Sequence, residues 1–442
     1  MKKLLLSLSV VAAILGCQPT PKTEAVAFTM PAVSDVAMYQ VNPRVFAPQQ
    51  SLQAVTARLD SISGLGVNVM WVMPIYPIGI EKGKNSPYCI RDYKAIAPEF
   101  GTIDDLKQLV KACHERGMGL ILDWVANHTA WDHPWVKDHP DWYTHDATAD
   151  TIIHPRPFDW YDVADLNYDS DSLRQAMIDA MTFWVTEVGV DGFRCDVADE
   201  VPADFWHEAI QKLRAAAGER HLLMLAEGRN LTNFTVGGFD MNYAWEFKDE
   251  LIKVWKGAPV TDVIAVEKVE YDSLPAGKKK LRFTTNHDLA TEEAPCVRYT
   301  NDRGAMAAYV ASIFPRGGAL VYSSQEVGYP EPINFFHYVP VDWKAKSDIW
   351  QEYKALIGLY NTHPALRSVE LTTYPDRDVY MFEKQAGKEE ILVLVNVRNA
   401  QSQVQLPKDW TDEDAVNLMT NEEIELGQTL TLQPYEYLIL KD

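Results

Sequence analysis

Residues 171–196 read DSLRQAMIDAMTFWVTEVGVDGFRCD, an amphipathic stretch running straight into a short apolar segment that ends in a carboxylate. In its first part Leu173, Met177, Ala180, Met181, Trp184 and Val185 recur at helical spacing, so one face is apolar, and Asp169 or Ser170 can cap the start. After Gly189 the pattern changes: 191–196 is short and mostly apolar, as a strand buried on both faces would be. A helix followed by a buried strand is one unit of a parallel sheet covered by helices. Working outward, further strands are expected at 38–46, 67–74, 118–125, 221–227, 238–240, 282–285 and 319–323. Eight such units closing on themselves form an α/β fold, the (β/α)8 TIM barrel.

Around this repeat the chain changes character in four places. Between the third strand and the helix at 171, residues 129–168 are rich in Trp, His, Asp and Pro, too long for a simple connection, and read as an inserted subdomain. The barrel is therefore expected over 35–128 and 169–365. From 366 to 442, alternating runs such as VYMFEK, ILVLVNV, TLTLQ and YEYLIL between polar turns predict an antiparallel β-domain. Residues 18–34 are polar and Pro-rich without period, as a tether would be.

At the start, Lys2 and Lys3 precede an apolar run from Leu4 to Gly16, too short to span a bilayer and suited to a signal segment over 1–17. Its end, Ile14-Leu15-Gly16-Cys17, resembles a bacterial lipoprotein processing site, with Leu15 larger than usual there. The resemblance implies acylation at Cys17 and contact with a membrane only through that lipid anchor. The folded part would lie outside the cytoplasm, and Gln18 after the Cys suits outer-membrane sorting.

The whole chain has 442 residues and a formal net charge of −21, and no basic patch interrupts that balance, which argues against nucleic acid as a partner. Cys89, Cys113, Cys195 and Cys296 are irregularly spaced without CxxC and read as free thiols. The histidines of the subdomain, His133, His139, His145 and His154, match no standard metal-ligand spacing, so no metal site is expected. Its tryptophans, Trp131, Trp135, Trp142 and Trp160, are expected to form a small core rather than sugar platforms. Lys278-Lys279-Lys280 reads as a solvated turn, and Gln325-Glu326 as a support of the site.

A parallel barrel carries its chemistry at the C-terminal ends of its strands, and here those ends are acidic. Strand three ends in Asp123 and Asn127-His128, strand four in Arg194 and Asp196, strand five in Glu227, and strand seven in His287-Asp288. Acids from three strands would meet in one pocket, where burial and mutual repulsion separate their pKa values. Two carboxyl groups, one ionised and one protonated, are what cleavage of a glycosidic bond requires. Arg194 shares a strand face with Asp196 and would hold it ionised.

These segments resemble the α-amylase family, glycoside hydrolase family 13. DWVANH, GFRCDVADE, LAEGR and TTNHD match that family's four signature segments in order and spacing, with further similarity from about 37 to 345 and a β-domain afterwards. The resemblance implies that Asp196 is the nucleophile, Glu227 the general acid/base and Asp288 the stabiliser of the transition state. It implies that Tyr88 stacks on the sugar, that His128, Arg194 and His287 bind or orient, and that Asp123 and Asn127 support them. The implied activity is retaining hydrolysis of α-1,4-linked maltooligosaccharides or starch fragments. Transfer to another sugar, cleavage of cyclodextrins or pullulan, and glycan binding without turnover are the alternatives.

Three departures bear on specificity. Val197-Ala198-Asp199-Glu200 follows the nucleophile where many α-amylases carry a Lys-His pair, Gly228-Arg229 follows Glu227 in place of a bulky aromatic, and the subdomain is short. No cofactor is implied for the chemistry. Many members bind calcium around the Asn127 position with ligands from the subdomain, and the short subdomain leaves that site open.

Overall fold

The computed structural model describes residues 28–442, so the signal segment, Cys17 and the first part of the expected tether lie outside the described residues. Eight parallel strands close into a barrel: β1 (Ala37–Val41), β2 (Val69–Val72), β3 (Gly119–Trp124), β4 (Gly192–Cys195), β5 (Leu223–Ala226), β6 (Met241–Tyr243), β7 (Lys279–Arg282) and β8 (Gly318–Tyr322). Around the ring they follow chain order, with β1 against both β2 and β8. Alternate residues face the two sides of a strand. Met38, Val69, Trp71, Ile121, Leu225, Met241 and Leu320 fill the barrel interior. Tyr39, Met70, Leu122, Phe193, Met224 and Val321 pack outward against the helices.

The stretch at 171 forms a helix, α1 (Asp171–Phe183), whose Ser170 hydroxyl accepts the Leu173 N–H and which continues as a π-helical turn over Trp184–Val188. Gly189 ends it at φ +86°, a conformation glycine adopts without a Cβ penalty. Chain entry to β4 is therefore fixed locally, and the two-residue period of β4 then aims Arg194 inward.

The structure corrects two strands. The sixth is Met241–Tyr243 rather than 238–240, because Gly238 still belongs to a left-handed turn and the Asp240 carboxylate is used below the strand, accepting the Met224 N–H and the Arg214 guanidinium. The seventh is Lys279–Arg282 rather than 282–285, which overturns the solvated-turn reading of the lysine run. Lys279 and Lys280 are buried, the first donating to Ser34 O and Tyr360 Oη, the second to Tyr243 O. Long alkyl stems let both ammonium groups reach carbonyls from a strand.

Residues 28–34, assigned by sequence to the tether, lie on the barrel floor. Phe28 stacks on His114 at 4.3 Å, Met30 sits against Gly119, and Val33–Asp35 forms a 3-10 turn leading into β1. In the inserted segment, His128–Ala130 pairs with Val163–Asp165, which ties both ends of the insertion to the barrel rim. Beyond the barrel, β9 (Leu371–Tyr374), β10 (Val379–Ala386), β11 (Glu389–Asn396), β12 (Ser402–Gln405), β13 (Asp414–Asn417), β14 (Glu422–Glu425), β15 (Thr429–Leu432) and β16 (Tyr437–Lys441) are antiparallel. One face of this sheet, with Tyr380, Phe382, Val393 and Ile439, shares the barrel's outer core, while Met381, Leu392, Leu394 and Leu440 build a second core beneath β12 and β15.

Candidate active site

Period two along the strands carries Arg194 and Asp196 to one side of β4, and Glu227 follows Leu223 and Leu225 on the inner side of β5. The three meet at the C-terminal rim of the barrel. The Arg194 guanidinium is completely buried; its Nη1 donates to Asp123 Oδ1 at 2.7 Å and Asp196 Oδ1 at 2.8 Å, and its Nε donates to Tyr243 Oη at 3.2 Å. Nη2 lies 2.8 Å from Glu227 Oε2 but without hydrogen-bond alignment. One cation therefore faces three carboxylates, and its directional bonds go to only two of them.

That imbalance decides where a proton resides. Burial pushes all three acids up, and Arg194 opposes this in each: Glu227 to about 8, Asp196 to about 7 and Asp123 to about 6. Of the three, Glu227 is the one to which Arg194 makes no aligned hydrogen bond, a geometry that favours its protonated form. Glu227 Oε2 also accepts the Val197 N–H at 2.8 Å, which leaves Oε1 to carry the proton toward the cavity. Val197 achieves this at φ +35°, strained for a β-branched residue and directly after the nucleophile candidate.

Behind Asp123 runs a chain of aligned donors. Gln40 Nε2 donates to His287 Nδ1 at 2.8 Å, so the imidazole carries its proton on Nε2 and gives it to Tyr88 Oη at 2.7 Å. Tyr88 Oη then donates to Asp123 Oδ2 at 3.1 Å, where Trp71 Nε1 also donates at 3.0 Å. Burial lowers His287 and His128 to about 4, so both are neutral hydrogen-bonding groups near pH 7. Asp288 is half exposed at the cavity mouth, held by Asn286 Nδ2 at 3.1 Å and lying 3.3 Å from His287 Nε2.

These groups surround a cavity of about 450 Å3, a size suited to a small ligand. Tyr88, His128, His287, Asp196, Glu227 and Asp288 all line it, while Asp123 and Arg194 stand behind. Asn127 stands outside, its amide near His128 Nδ1 at 3.3 Å. Trp160 also faces the cavity beside His128, contrary to the core reading, whereas Trp135 and Trp142 do pack on each other. Phe335 and Phe336, on the loop after β8, line it too and carry no sequence signal. Gln325 and Glu326 lie elsewhere: Glu326 accepts from Tyr39 outside the barrel, and Gln325 bonds Thr284 and Tyr353.

For calcium the residues do not fit. Asn127 opens onto a neighbouring cavity with Asp165, Asp169 and Glu200, and Arg156 lines the same space, but among the described residues no group of three or more acidic, His or Cys side chains is placed close enough to hold an ion. Calcium takes six to eight oxygens, and no such cluster is assembled there among the described residues.

Comparison with known proteins bears on the same residues. A family model described as the α-amylase catalytic domain matches residues 40–163, and one described as the maltogenic amylase C-terminal domain matches 369–439. The chain is 30% identical over 311 residues to the α-amylase MalA of Haloarcula japonica, a match covering 66% of this chain and 44% of that protein. It is 24% identical over 415 residues to a cyclomaltodextrinase of Geobacillus thermopakistaniensis, covering 88% and 69%. The chain thus spans less than half the length of the first of these curated relatives. Among solved structures, a maltogenic α-amylase, AmyB, from Thermotoga neapolitana superposes with a TM-score of 0.83 at 26% identity, covering 92% of this chain and 98% of that one. A barrel model at one end, a β-domain model at the other and a near full-length structural match between them agree: the chain is similar to α-amylases in its barrel and to a maltogenic amylase in its C-terminal domain.

Proposed function

We propose that the protein is a retaining α-glucoside hydrolase acting on α-1,4-linked maltooligosaccharides or starch fragments. The observation that carries this reading is the pair Asp196 and Glu227 touching two nitrogens of one buried guanidinium, with Asp288 on the same cavity. Two carboxyl groups bridged by a single planar cation face one cavity, so that one can attack a bound sugar while the other serves as acid, with retention as the outcome. Glu227 protonates the departing oxygen from Oε1 as Asp196 attacks the anomeric carbon. The same Glu227, now ionised, takes a proton from water in the second step and restores both groups. In the transition state of each step, on either side of the covalent glycosyl-Asp196 intermediate, the sugar ring carries developing positive charge; the Asp288 carboxyl group faces it while neutral His128 and His287 offer hydrogen bonds that strengthen as charge develops.

Support for the substrate comes from the relatives, named an α-amylase, a cyclomaltodextrinase and a maltogenic amylase. Proton NMR of a maltooligosaccharide digest tests the reaction: the α-anomer of the new reducing end should appear first. Initial β-anomer overturns retention, and binding without turnover overturns the hydrolase reading.

Anchorage through Cys17 outside the cytoplasm is part of the same proposal. It is supported by residues 2–17 and by the chain entering at the barrel floor, opposite the cavity. Incorporation of labelled palmitate that is lost in Cys17→Ala would bear it out, and equal labelling of both would overturn it.

A further inference from the structure

The cavity is walled on one side by three loops that a single arginine locks together. Arg44 follows β1, and its side chain is 4% exposed. It forks onto Glu99, Nη2 to Oε1 at 2.6 Å and Nε to Oε2 at 3.2 Å, and Glu99 belongs to the loop after β2. Its Nη1 donates to the carbonyls of Asn85, on that same loop, at 2.8 Å, and of Phe335 and Phe336, on the loop after β8, at 3.1 and 3.0 Å. Asn85 Nδ2 adds a hydrogen bond to Phe336 O. Phe335, held this way, stands edge-on to Tyr88 and His287 at 5.8 and 5.3 Å. Toward the inserted segment the wall continues through Lys84, 3.5 Å from Asp162.

The position of this wall relative to the acid gives it meaning. In a ring of eight strands in chain order, β5 lies across from β1 and β4 across from β8. Glu227 ends β5, so the part of the substrate that departs lies over the β4 and β5 loops. There Val197, Asp199 and Gly228 present short side chains or none, and the Asp199 carboxylate is turned aside, accepting the Arg229 N–H and the Asn233 amide. The retained sugar therefore points its far end at Phe335 and Phe336, which the buried Arg44 holds from behind.

The geometry points to a site that is blind at its glycone end: the enzyme takes chains by their free non-reducing ends, and Arg44 is the positioning residue that keeps that end shut. This deepens the hydrolase reading above and rests on it. A buried Arg with a forked carboxylate and three carbonyls suits the task, because its planar donors tie two other loops to its own at once, which a lysine cannot do.

The test compares 4-nitrophenyl maltoheptaoside with the same compound carrying a 4,6-ethylidene group on its non-reducing ring, and adds α-cyclodextrin, which has no chain end. Products are read by chromatography. The blocked compound and the cyclodextrin should be cleaved at least about tenfold more slowly, by kcat/KM, than the free one. Comparable rates on free and blocked compounds overturn the blind end while the hydrolase reading stands; no cleavage of any of the three overturns both. In Arg44→Lys the blocked-to-free ratio should rise at least about tenfold in protein whose circular dichroism matches wild type. An unchanged ratio in such protein removes Arg44 from the wall, and if the variant does not fold, the wild-type comparison alone decides the blind end.

Discussion

Arg194 on β4 and Arg282 on β7 are both buried in the barrel wall, and the acids around them are counted differently. Arg282 faces one directly bonded carboxylate, Glu270, at 2.6 Å, and lies over the Phe247 ring at 3.5 Å. That arginine carries one bonded acid and no surplus carboxylate. Arg194 is shared by Asp123, Asp196 and Glu227, so the cluster carries more negative groups than its cation can hold ionised. Burial raises all three acids, and Glu227 is the one with the poorest bond to the arginine. A buried ion pair holds structure; a buried cation with too many partners prepares acid chemistry.

The sharpest way to break this comparison is at the acids themselves. Glu227→Gln and Asp196→Asn should each lower kcat by at least about a thousandfold with little loss of thermal stability, as measured by assay and calorimetry. Near wild-type turnover in either would show that the shared arginine does not mark the reacting pair.

Next in size is the structural arginine. Arg282→Met leaves Glu270 buried and unpaired and should cost about 3–5 kcal/mol in denaturant unfolding, with kcat per folded molecule retained. An equal fall in kcat and stability would erase the distinction between the two sites.

The pH profile sharpens the comparison further. Glu227 works protonated, so kcat/KM should fall as pH rises through about 8. Asp196 works ionised, so it should also fall as pH drops through the range to which burial raises that group, about 7. Both limbs are apparent values of the coupled pair. A profile flat to pH 10 would mean that Glu227 is not the proton store.

The smallest effect is expected at Tyr88→Phe, which keeps the ring but cuts the relay from His287 to Asp123. A loss of about tenfold in kcat/KM is expected, from hydrogen bonds worth about 1–2 kcal/mol, with the pH profile moved along with it because Asp123 sets the field on Arg194. No change in either would show that the relay is ornamental to the cluster.

Much of this site was legible in the chain because its parts obey short local rules. A carboxylate just past a short apolar run is a strand-end acid, and two-residue spacing aligned Arg194 with Asp196 before any fold was known. Gln40 and Arg44 were not legible in that way. Each sits among ordinary residues after or within β1; Gln40 has its role through His287, which follows β7, and Arg44 through the loops after β2 and β8. Trp160, Phe335 and Phe336 belong to loops without period, so their facing follows from what they pack on. The lysines of β7 misled in the other direction: three adjacent charges suggest solvent, and only the reach of their alkyl stems to Ser34, Tyr360 and Tyr243 makes burial affordable.

By itself, then, the sequence determined the repeated helix-to-strand unit, the acids at the strand ends and the family they resemble, because period, capping and motif spacing are properties of neighbours along a chain. Which acid keeps the proton and which end of the cavity is shut were decided only by the folded molecule. Both depend on how many groups share one guanidinium, Arg194 for the proton and Arg44 for the wall, and that sharing joins residues up to hundreds of positions apart through distances of about 3 Å that no local pattern encodes.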